Sequence, residues 1–442
     1  MNHPNPSVTT RRSIVKSSSL AAVGLGLSAP GLTAPGLMLP PGRARQDEPL
    51  RVALVGCGGR GTGAIGQALS TDGSVKLVAM ADAFDDRLQS ALQATKASHP
   101  DRVDVPKERQ FTGFDAAQEA MDCDVDMVIL ATPPGFRPMH FEYAVSKDLH
   151  VFMEKPVATD APGIRQVLAA AKVAQQKNLK VGVGLQRHHD SGYKETMRRV
   201  KEGAIGKVLL LRCYWNSGGV WTRPRKEGMT EMEYQMRNWY YFTWICGDHI
   251  AEQHIHNLDV CNWLKDGPPV KAQGVGGRQV RTGPDSGEIF DHHMIEYTYA
   301  DGTKMLSECR HQRGTYSSVS EHAHGTKGTA QFNRYMIEAD GQDKWRYRDE
   351  AKNPYQVEHD VLFAAIRSGK VHNEAEYGAN STMTAIMGRM ATYSGQQVEW
   401  DKAIASETNL LPDTFAWDAD PKVMPNADGT YPHAIPGVTS AY

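Results

Sequence analysis

Apolar positions follow two different periods along the chain. Residues 51–55 form an apolar strand that runs into Gly56-Cys57-Gly58-Gly59-Arg60-Gly61, and a helical stretch opens at Thr62. Residues 75–81 give a second strand ending at Asp82. Residues 125–131 are a continuous apolar strand leading to Thr132-Pro133-Pro134, with a helical pattern at 139–147. Residues 150–153 form a strand closing on Glu154-Lys155-Pro156, followed by a helix at 161–176 and a strand at 180–185. Strands alternating with helices, without hairpin turns, predict a parallel doubly wound sheet. Ligands of such sheets sit beyond the strand C-termini, so Gly58, Asp82, Thr132, Lys155 and Gln186 are expected to converge on one crevice.

The pattern changes in the second half. Residues 207–215, 271–280 and 294–299 read as strands, and 296–310 as a hairpin around Asp301-Gly302. Helical patterns return at 357–368 and 379–394; the latter carries Met383, Ile386, Met387 and Met390 on one face, which core packing explains. Residues 404–442, rich in Pro, Asp, Asn and Gly, read as an extended tail wrapping the surface or a partner subunit. The expected organisation is a leader (1–45), a dinucleotide-binding domain (46–185), a substrate and oligomerisation domain (186–403) and that tail.

Charge and composition narrow the partners. The 49 basic and 51 acidic residues give a net charge of −2, but five of the basic ones precede Gln46, where no acidic residue occurs. A chain starting near Gln46 keeps 44 basic and 51 acidic residues, a net of −7, which argues against nucleic acid as partner. No apolar run of membrane-spanning length follows residue 50. Thr10-Arg11-Arg12-Ser13-Ile14-Val15-Lys16, ahead of a weakly apolar stretch at 20–41, resembles a twin-arginine export signal, so a periplasmic location is expected. Such export carries folded proteins, often with cofactor already bound. The six cysteines show no zinc-ligand spacing and read as small buried residues, with one or two disulfides left open.

The glycine run has a chemical reading because of where it lies. Between a strand and a helix, glycines let the backbone approach a pyrophosphate, and the helix N-terminus supplies positive potential. Asp82 lies 21 residues after Gly61, where a carboxylate accepts hydrogen bonds from ribose hydroxyls and repels a 2′-phosphate. NAD is therefore expected, with NADP as the alternative.

A second chemical centre is the helical segment 247–264. Asp248 suits its N-cap, and Asp266-Gly267 its end. At about 100° per residue, Glu252, His256, Asp259 and Trp263 share an arc of about 60° with His249 beside it. A histidine between two carboxylates suits a half-buried crevice in which the carboxylates hold the imidazole in one tautomer. His249, Glu252, His254 and His256 also suggest a metal, but His254 and His256 oppose one another on a helix and H-E-x-x-H is absent, so no metal is expected.

Gly56-x-Gly58-x-x-Gly61, Ala131-Thr132-Pro133 with His140, Glu154-Lys155-Pro156 and Gly325-Thr326-Lys327-Gly328-Thr329 together resemble the glucose–fructose oxidoreductase / inositol dehydrogenase / rhizopine-catabolism (Gfo/Idh/MocA) family, over roughly residues 50–400. The resemblance implies a Rossmann domain followed by an α/β domain with a large, open, mostly antiparallel sheet. It implies a cofactor site at Gly56, Gly58, Gly59, Arg60, Gly61, Asp82, Thr132, Pro133, His140, Glu154, Lys155 and Gln186. Relatives typically place Asp-x-x-x-His in the later helix; here Glu252 stands four before His256, so the carboxylate's role is open, and Asp248 or Asp259 can share it. The implied reaction is hydride transfer from a sugar or polyol carbon to nicotinamide, with His256 taking the hydroxyl proton, Lys155 stabilising the oxygen, and Glu252 and Asp259 orienting His256. Arg187, His188 and His189, which follow the sixth strand, and Trp221, Arg237, Trp239 and Tyr240 are candidate substrate ligands. Relatives pair through the open sheet, so a homodimer or homotetramer is expected. An exported member implies a tightly held cofactor regenerated inside the site. The alternatives are an NAD-dependent glycosidase working by transient oxidation and elimination, and a non-catalytic sugar-binding member. Glycosidase relatives tend to carry a Pro-Thr-His-like segment where this chain has Glu252-Gln253-His254-Ile255-His256.

Overall fold

Strands that are apolar at nearly every position must be covered on both faces, and such segments form the middle of a six-stranded first sheet. In a computed structural model describing residues 48–442, the six strands are β1 (Leu50–Val55), β2 (Val75–Asp82), β3 (Gln110–Thr112), β4 (Met127–Leu130), β5 (His150–Met153) and β6 (Val181–Val183). Their order is β3-β2-β1-β4-β5-β6, and every pair is parallel. The connections carry α1 (Gly59–Leu69), α2 (Asp85–Ser98), α3 (Ala116–Met121), α4 (Arg137–Ser146) and α5 (Ala161–Gln176). The order reverses at β1 and β4, which opens the crevice a doubly wound sheet offers a ligand. The segment resembling an export signal lies outside the described residues.

The second sheet comprises β7 (Val208–Ser217), β8 (Lys271–Gly277), β9 (His292–Thr298), β10 (Lys304–His311), β11 (Ser318–Gly325), β12 (Gly328–Gln331), β13 (Met336–Ala339), β14 (Trp345–Arg346) and β15 (Val398–Glu399). Its order is β14-β13-β12-β11-β7-β10-β9-β8-β15. Pairing is antiparallel, including the β9–β10 hairpin, except that β7 and β10 run parallel. Burial alternates residue by residue along β10, so one face is covered and the other open. β8 stops at Gly277, short of the expected residue 280, because the amides of Gln279, Val280 and Arg281 turn onto the Asp291 carboxylate.

Helices α6 (Ser191–Lys201), α7 (Glu231–Arg237), α8 (Thr243–Cys246), α9 (Ile255–Lys265), α10 (Pro354–Ser368) and α11 (Ala375–Ser394) complete the described helices longer than a single 3₁₀ or π turn, with a short α12 (Trp400–Ile404). The expected methionine stripe lies on α11, but the helix is buried on nearly every side, including Ser381, Thr382, Thr384 and Thr392. Small residues permit this. Gly378 faces Val183 of β6, Gly388 faces Tyr297 of β9, and Thr382 accepts a hydrogen bond from the Val157 amide at 3.2 Å. One helix thus keys both domains together.

The tail lies on its own chain. Arg165 of α5 donates to the Ile404 and Ser406 carbonyls at 2.7 Å, and the Leu410 amide donates to Asp160 at 2.9 Å. Further on, Gln235 holds the Val423 carbonyl at 2.7 Å, and Tyr431 donates to Glu231 at 2.6 Å. All six cysteines are free thiols. Among the described residues, no helix is long and apolar enough to cross a membrane.

A methyl group at position 388 would stand 2.0 Å from the buried Tyr297 hydroxyl. Gly388→Ala is expected to destabilise the fold by about 1–3 kcal/mol through overpacking. Adding Tyr297→Phe should recover part of that loss in urea unfolding; an additive double variant would show that α11 does not bear on β9 at this point.

Candidate active site

The glycine loop is shaped by what side chains would displace. Gly56 has φ +94°, open to glycine but strained for other residues, and a methyl there would stand 2.4 Å from the Thr132 amide. A methyl at Gly61 would stand 1.9 Å from the Gly56 carbonyl. At Gly58 and Gly59 an added methyl meets nothing within 4 Å. The first pair therefore sets how tightly strand, turn and helix pack, and the second leaves room for a ligand over the N-terminus of α1. That helix starts at Gly59, three residues before the expected Thr62, and no side chain caps its amides. Such a terminus suits a phosphate.

A cavity of about 440 Å³ lies over this terminus. Its wall includes Gly56, Gly58, Gly59, Arg60, Gly61, Asp82, Thr132, Pro133, His140, Glu154 and Lys155 from the first domain, and Trp239 and Glu252 from the second. Asp82 accepts from the Cys57 amide at 2.6 Å and the Phe84 amide at 2.9 Å, which holds its carboxylate at the end of β2. Burial raises its pKa. Thr132 Oγ1 lies 3.3 Å from His140 Nδ1, and burial followed by the nearby Arg137 charge lowers the His140 pKa to about 3. Arg137 donates to the Leu130 and Thr132 carbonyls and so braces the turn after β4. Arg60 folds back onto Glu154, Gln67 and Glu358.

Lys155, at the end of β5, crosses to the second domain. Its Nζ donates to the Glu252 carbonyl at 2.8 Å and lies 3.8 Å from Glu252 Oε2. Burial raises the Glu252 pKa, opposed by the Lys155 and Arg137 charges. Nothing local in the sequence marks this pairing, since the partners lie 97 residues apart.

The expected arrangement of Glu252 and Asp259 around His256 is not found. The segment opens with a π-turn, Ile250–His254, before α9 begins at Ile255. Bonding from i to i+5 widens the turn, so Glu252 is no longer in the register that 100° per residue gives it against the α9 residues His256 and Asp259. Asp259 instead contacts His188 Nε2 at 2.8 Å and accepts from Ser381 at 2.8 Å. His188 is stacked between Trp263 and Tyr377. His256 stacks on Trp215, its Nδ1 buried without a hydrogen-bond partner. Burial, then the charges of Lys155, Arg187 and Arg60, lower the His256 pKa well below the usual value. Glu252, not His256, is the residue of this segment on the cavity wall.

Asp248 is not an N-cap either. It sits at φ +75°, fully buried, taking hydrogen bonds from His249, the Phe290 amide (3.0 Å) and Tyr393 (2.6 Å), with His293 Nε2 at 3.3 Å. His254 turns to Ser307 at 2.7 Å, away from the cavity, so the four residues weighed as metal ligands do not gather. The ligand atoms that do gather, within 4.8 Å of one another, belong to Asp248, His249 and His293.

Three further expectations change. Gln186 donates to Tyr355 at 3.0 Å and is off the cavity wall. Arg187 is buried in an ion pair with Glu321, 134 residues on, which also accepts from Tyr193 at 3.0 Å, so it is not free for substrate hydroxyls. Tyr240 is buried, its hydroxyl without a partner and its ring against His311, whereas Trp239 reaches the wall. Sequence reading missed Phe84, Phe114, Phe136, Arg137, Arg223 and Met236, all on the wall. Phe84 and Phe114 follow the ends of β2 and β3, a position that marks them as ligand-facing once β3 is recognised.

A profile of the family described as "Oxidoreductase family, NAD-binding Rossmann fold" matches residues 50–185, and one described as "GFO/IDH/MocA C-terminal domain" matches residues 193–331. Together they cover more than half of the chain. An inositol 2-dehydrogenase of Ralstonia nicotianae is 27% identical over 259 residues, 58% of this chain and 66% of that protein. One of Pseudomonas fluorescens is 30% identical over 171 residues, 38% of this chain and 44% of that protein. The chain thus matches less than two thirds of each of these relatives' length, 66% of the first and 44% of the second. The aldose-aldose oxidoreductase of Caulobacter crescentus, complexed with glycerol, shares the fold at TM-score 0.63 and 17% identity, covering 80% of this chain and all of that one. So does scyllo-inositol dehydrogenase of Lactobacillus casei with bound NAD(H) and scyllo-inositol, at TM-score 0.60 and 20% identity, covering 81% of this chain and all of that one.

Burial works against a charged His188, but the charge and hydrogen bond of Asp259 outweigh it, and its pKa rises above 6.5. Its pairing therefore stabilises fully below pH 6.5 and is lost as pH rises through the raised value. Asp259→Asn is expected to cost about 1–3 kcal/mol in urea unfolding at pH 6, with a smaller cost at pH 9. A gap that does not change with pH would contradict the pairing.

Proposed function

Because the chain belongs to the Gfo/Idh/MocA oxidoreductase family, we propose that it transfers hydride between a sugar or polyol CH–OH group and a nicotinamide dinucleotide, NAD in preference to NADP. The observation that carries this reading is the shared wall of one cavity: an uncapped helix terminus over ligand-sized space, Asp82 at the end of β2, and the Lys155–Glu252 pair. The side-chain-free space at Gly58 and Gly59 fits a pyrophosphate, and Asp82 fits a ribose. Bound there, the dinucleotide supplies the hydride acceptor.

The chain's own residues handle the proton and the charge. Lys155 is placed to hold the substrate oxygen as negative charge develops. Two groups compete for the hydroxyl proton. Burial and three cations disfavour protonated His256, whereas burial raises the proton affinity of Glu252, and only Glu252 reaches the wall. The general base is therefore assigned to Glu252, with His256 as its neutral neighbour. Trp239 and the cavity-wall Trp221 offer flat faces to a sugar ring.

We read residues 10–16 as a twin-arginine export signal, which makes a retained dinucleotide necessary because no sustained pool supplies it outside the cytoplasm. Exposed Val275 and Met294, paired across β8 and β9 on the open face, support self-association into a homodimer or homotetramer. The relatives named above are dehydrogenases and an oxidoreductase, which favours redox chemistry over the glycosidase alternative.

Lys155→Met is expected to lower turnover by about 10²–10⁴-fold on a responsive sugar or polyol, read at the reduced-nicotinamide absorbance, with NAD affinity by calorimetry retained. Glu252→Gln should cost more than His256→Asn; the reverse order returns the base to His256. Release of chromophore from aryl glycosides without added NAD would favour the glycosidase.

A further inference from the structure

Phe84 and Phe114 line the cavity beside Asp82, at the end where a ribose and its adenine would lie. Neither ring is held by its own domain alone. The Trp417 ring, from the C-terminal segment, lies 5.3 Å from Phe84 and 4.6 Å from Phe114 between centroids. Phe415 lies 5.9 Å from Phe114 and 5.5 Å from Phe136, also on the wall. Arg237 of the second domain stacks on Phe84 at 3.9 Å and pairs with Asp86 at 3.0 Å. Phe84 thus touches both a tail residue and a residue of the opposite domain.

The tail is fastened to both walls of the cleft. It bonds Asp160 of the first domain through Leu410, then Gln235 and Glu231 of the second through Val423 and Tyr431. Parting the domains at this end requires the segment 410–431 to let go of one side. We propose that Trp417 and Phe415 are positioning residues of the cofactor site: through Phe84, Phe114 and Phe136 they fix its adenosine end, and the tail they belong to slows dinucleotide release. The proposal rests on the cofactor reading above and adds residues from outside both domains. It supplies a physical basis for retention that the glycine loop alone does not.

The test uses the full-length protein and its Trp417→Ala, Phe415→Ala and Trp417→Phe variants. Bound nucleotide is counted by acid release and mass spectrometry after exhaustive dialysis, and NADH dissociation is timed by fluorescence on displacement with excess NAD. Thermal unfolding of each nucleotide-free protein is the control. Loss of two aromatic contacts is expected to speed dissociation on the order of tenfold in Trp417→Ala. Phe415→Ala should show a smaller effect, and Trp417→Phe should restore most of the slow release, with each nucleotide-free variant still unfolding in one cooperative transition. Equal dissociation rates in wild type and Trp417→Ala, both binding NADH, overturn the proposal and leave the cofactor reading standing. If wild type itself binds no NADH or NADPH, the cofactor reading fails and the proposal with it. Should Trp417→Ala lose its fold by circular dichroism, Trp417→Leu is read in its place.

Discussion

A half-buried ammonium group is held best by a partner, and Lys155 finds one in the other domain. Its Nζ contacts the carbonyl and carboxylate of Glu252 where a parallel strand ends and a π-turn begins. Leaving the buried Glu252 carboxylate without a cation would cost several kcal/mol, so the contact fixes how the two domains meet at the cavity wall. It also fixes what each group can do. The lysine is held at the cavity wall, and burial draws the proton affinity of the carboxylate upward against the opposing charges of Lys155 and Arg137.

The surrounding architecture serves that meeting point. Helix α11 is made of residues small enough to pass between β6 and β9, and it supplies Ser381 to Asp259 and Thr382 to the chain just after Lys155. Buried acids and bases behind the cavity are paired along different lines: Arg187 with Glu321, His188 with Asp259, and Asp248 with His249. These pairs stiffen the second domain around the π-turn, and the tail packs Trp417 and Phe415 against the wall residues Phe84, Phe114 and Phe136.

Much of this was legible in the chain because the first domain obeys local rules. The strand at 150–153 and the helix at 161–176 match the observed elements residue for residue, since a short buried strand closed by Glu-Lys-Pro and a helix with Pro in its first turn carry their own boundaries. Gly58, Asp82, Thr132 and Lys155 were legible as wall residues for the same reason: each ends or closely follows a strand. The second domain is where local rules fail. A wheel drawn at 3.6 residues per turn places Glu252, His256 and Asp259 together, but a π-turn takes Glu252 out of register and Asp259 is drawn to His188 and Ser381. Arg187 and Gln186 follow a strand end as a ligand should, but their partners, Glu321 and Tyr355, lie 134 and 169 residues away, where no spacing argument reaches. The tail hides Phe415 and Trp417 within a composition that reads as loop.

The claim that Lys155 and Glu252 work as one unit across the cleft is tested most directly by a double-mutant cycle on kcat/KM with Lys155→Met and Glu252→Gln. Groups that act as a unit are strongly non-additive. The double variant should therefore be hardly slower than the worse of the two single ones. Losses that multiply, as for two independent sites, would contradict the account.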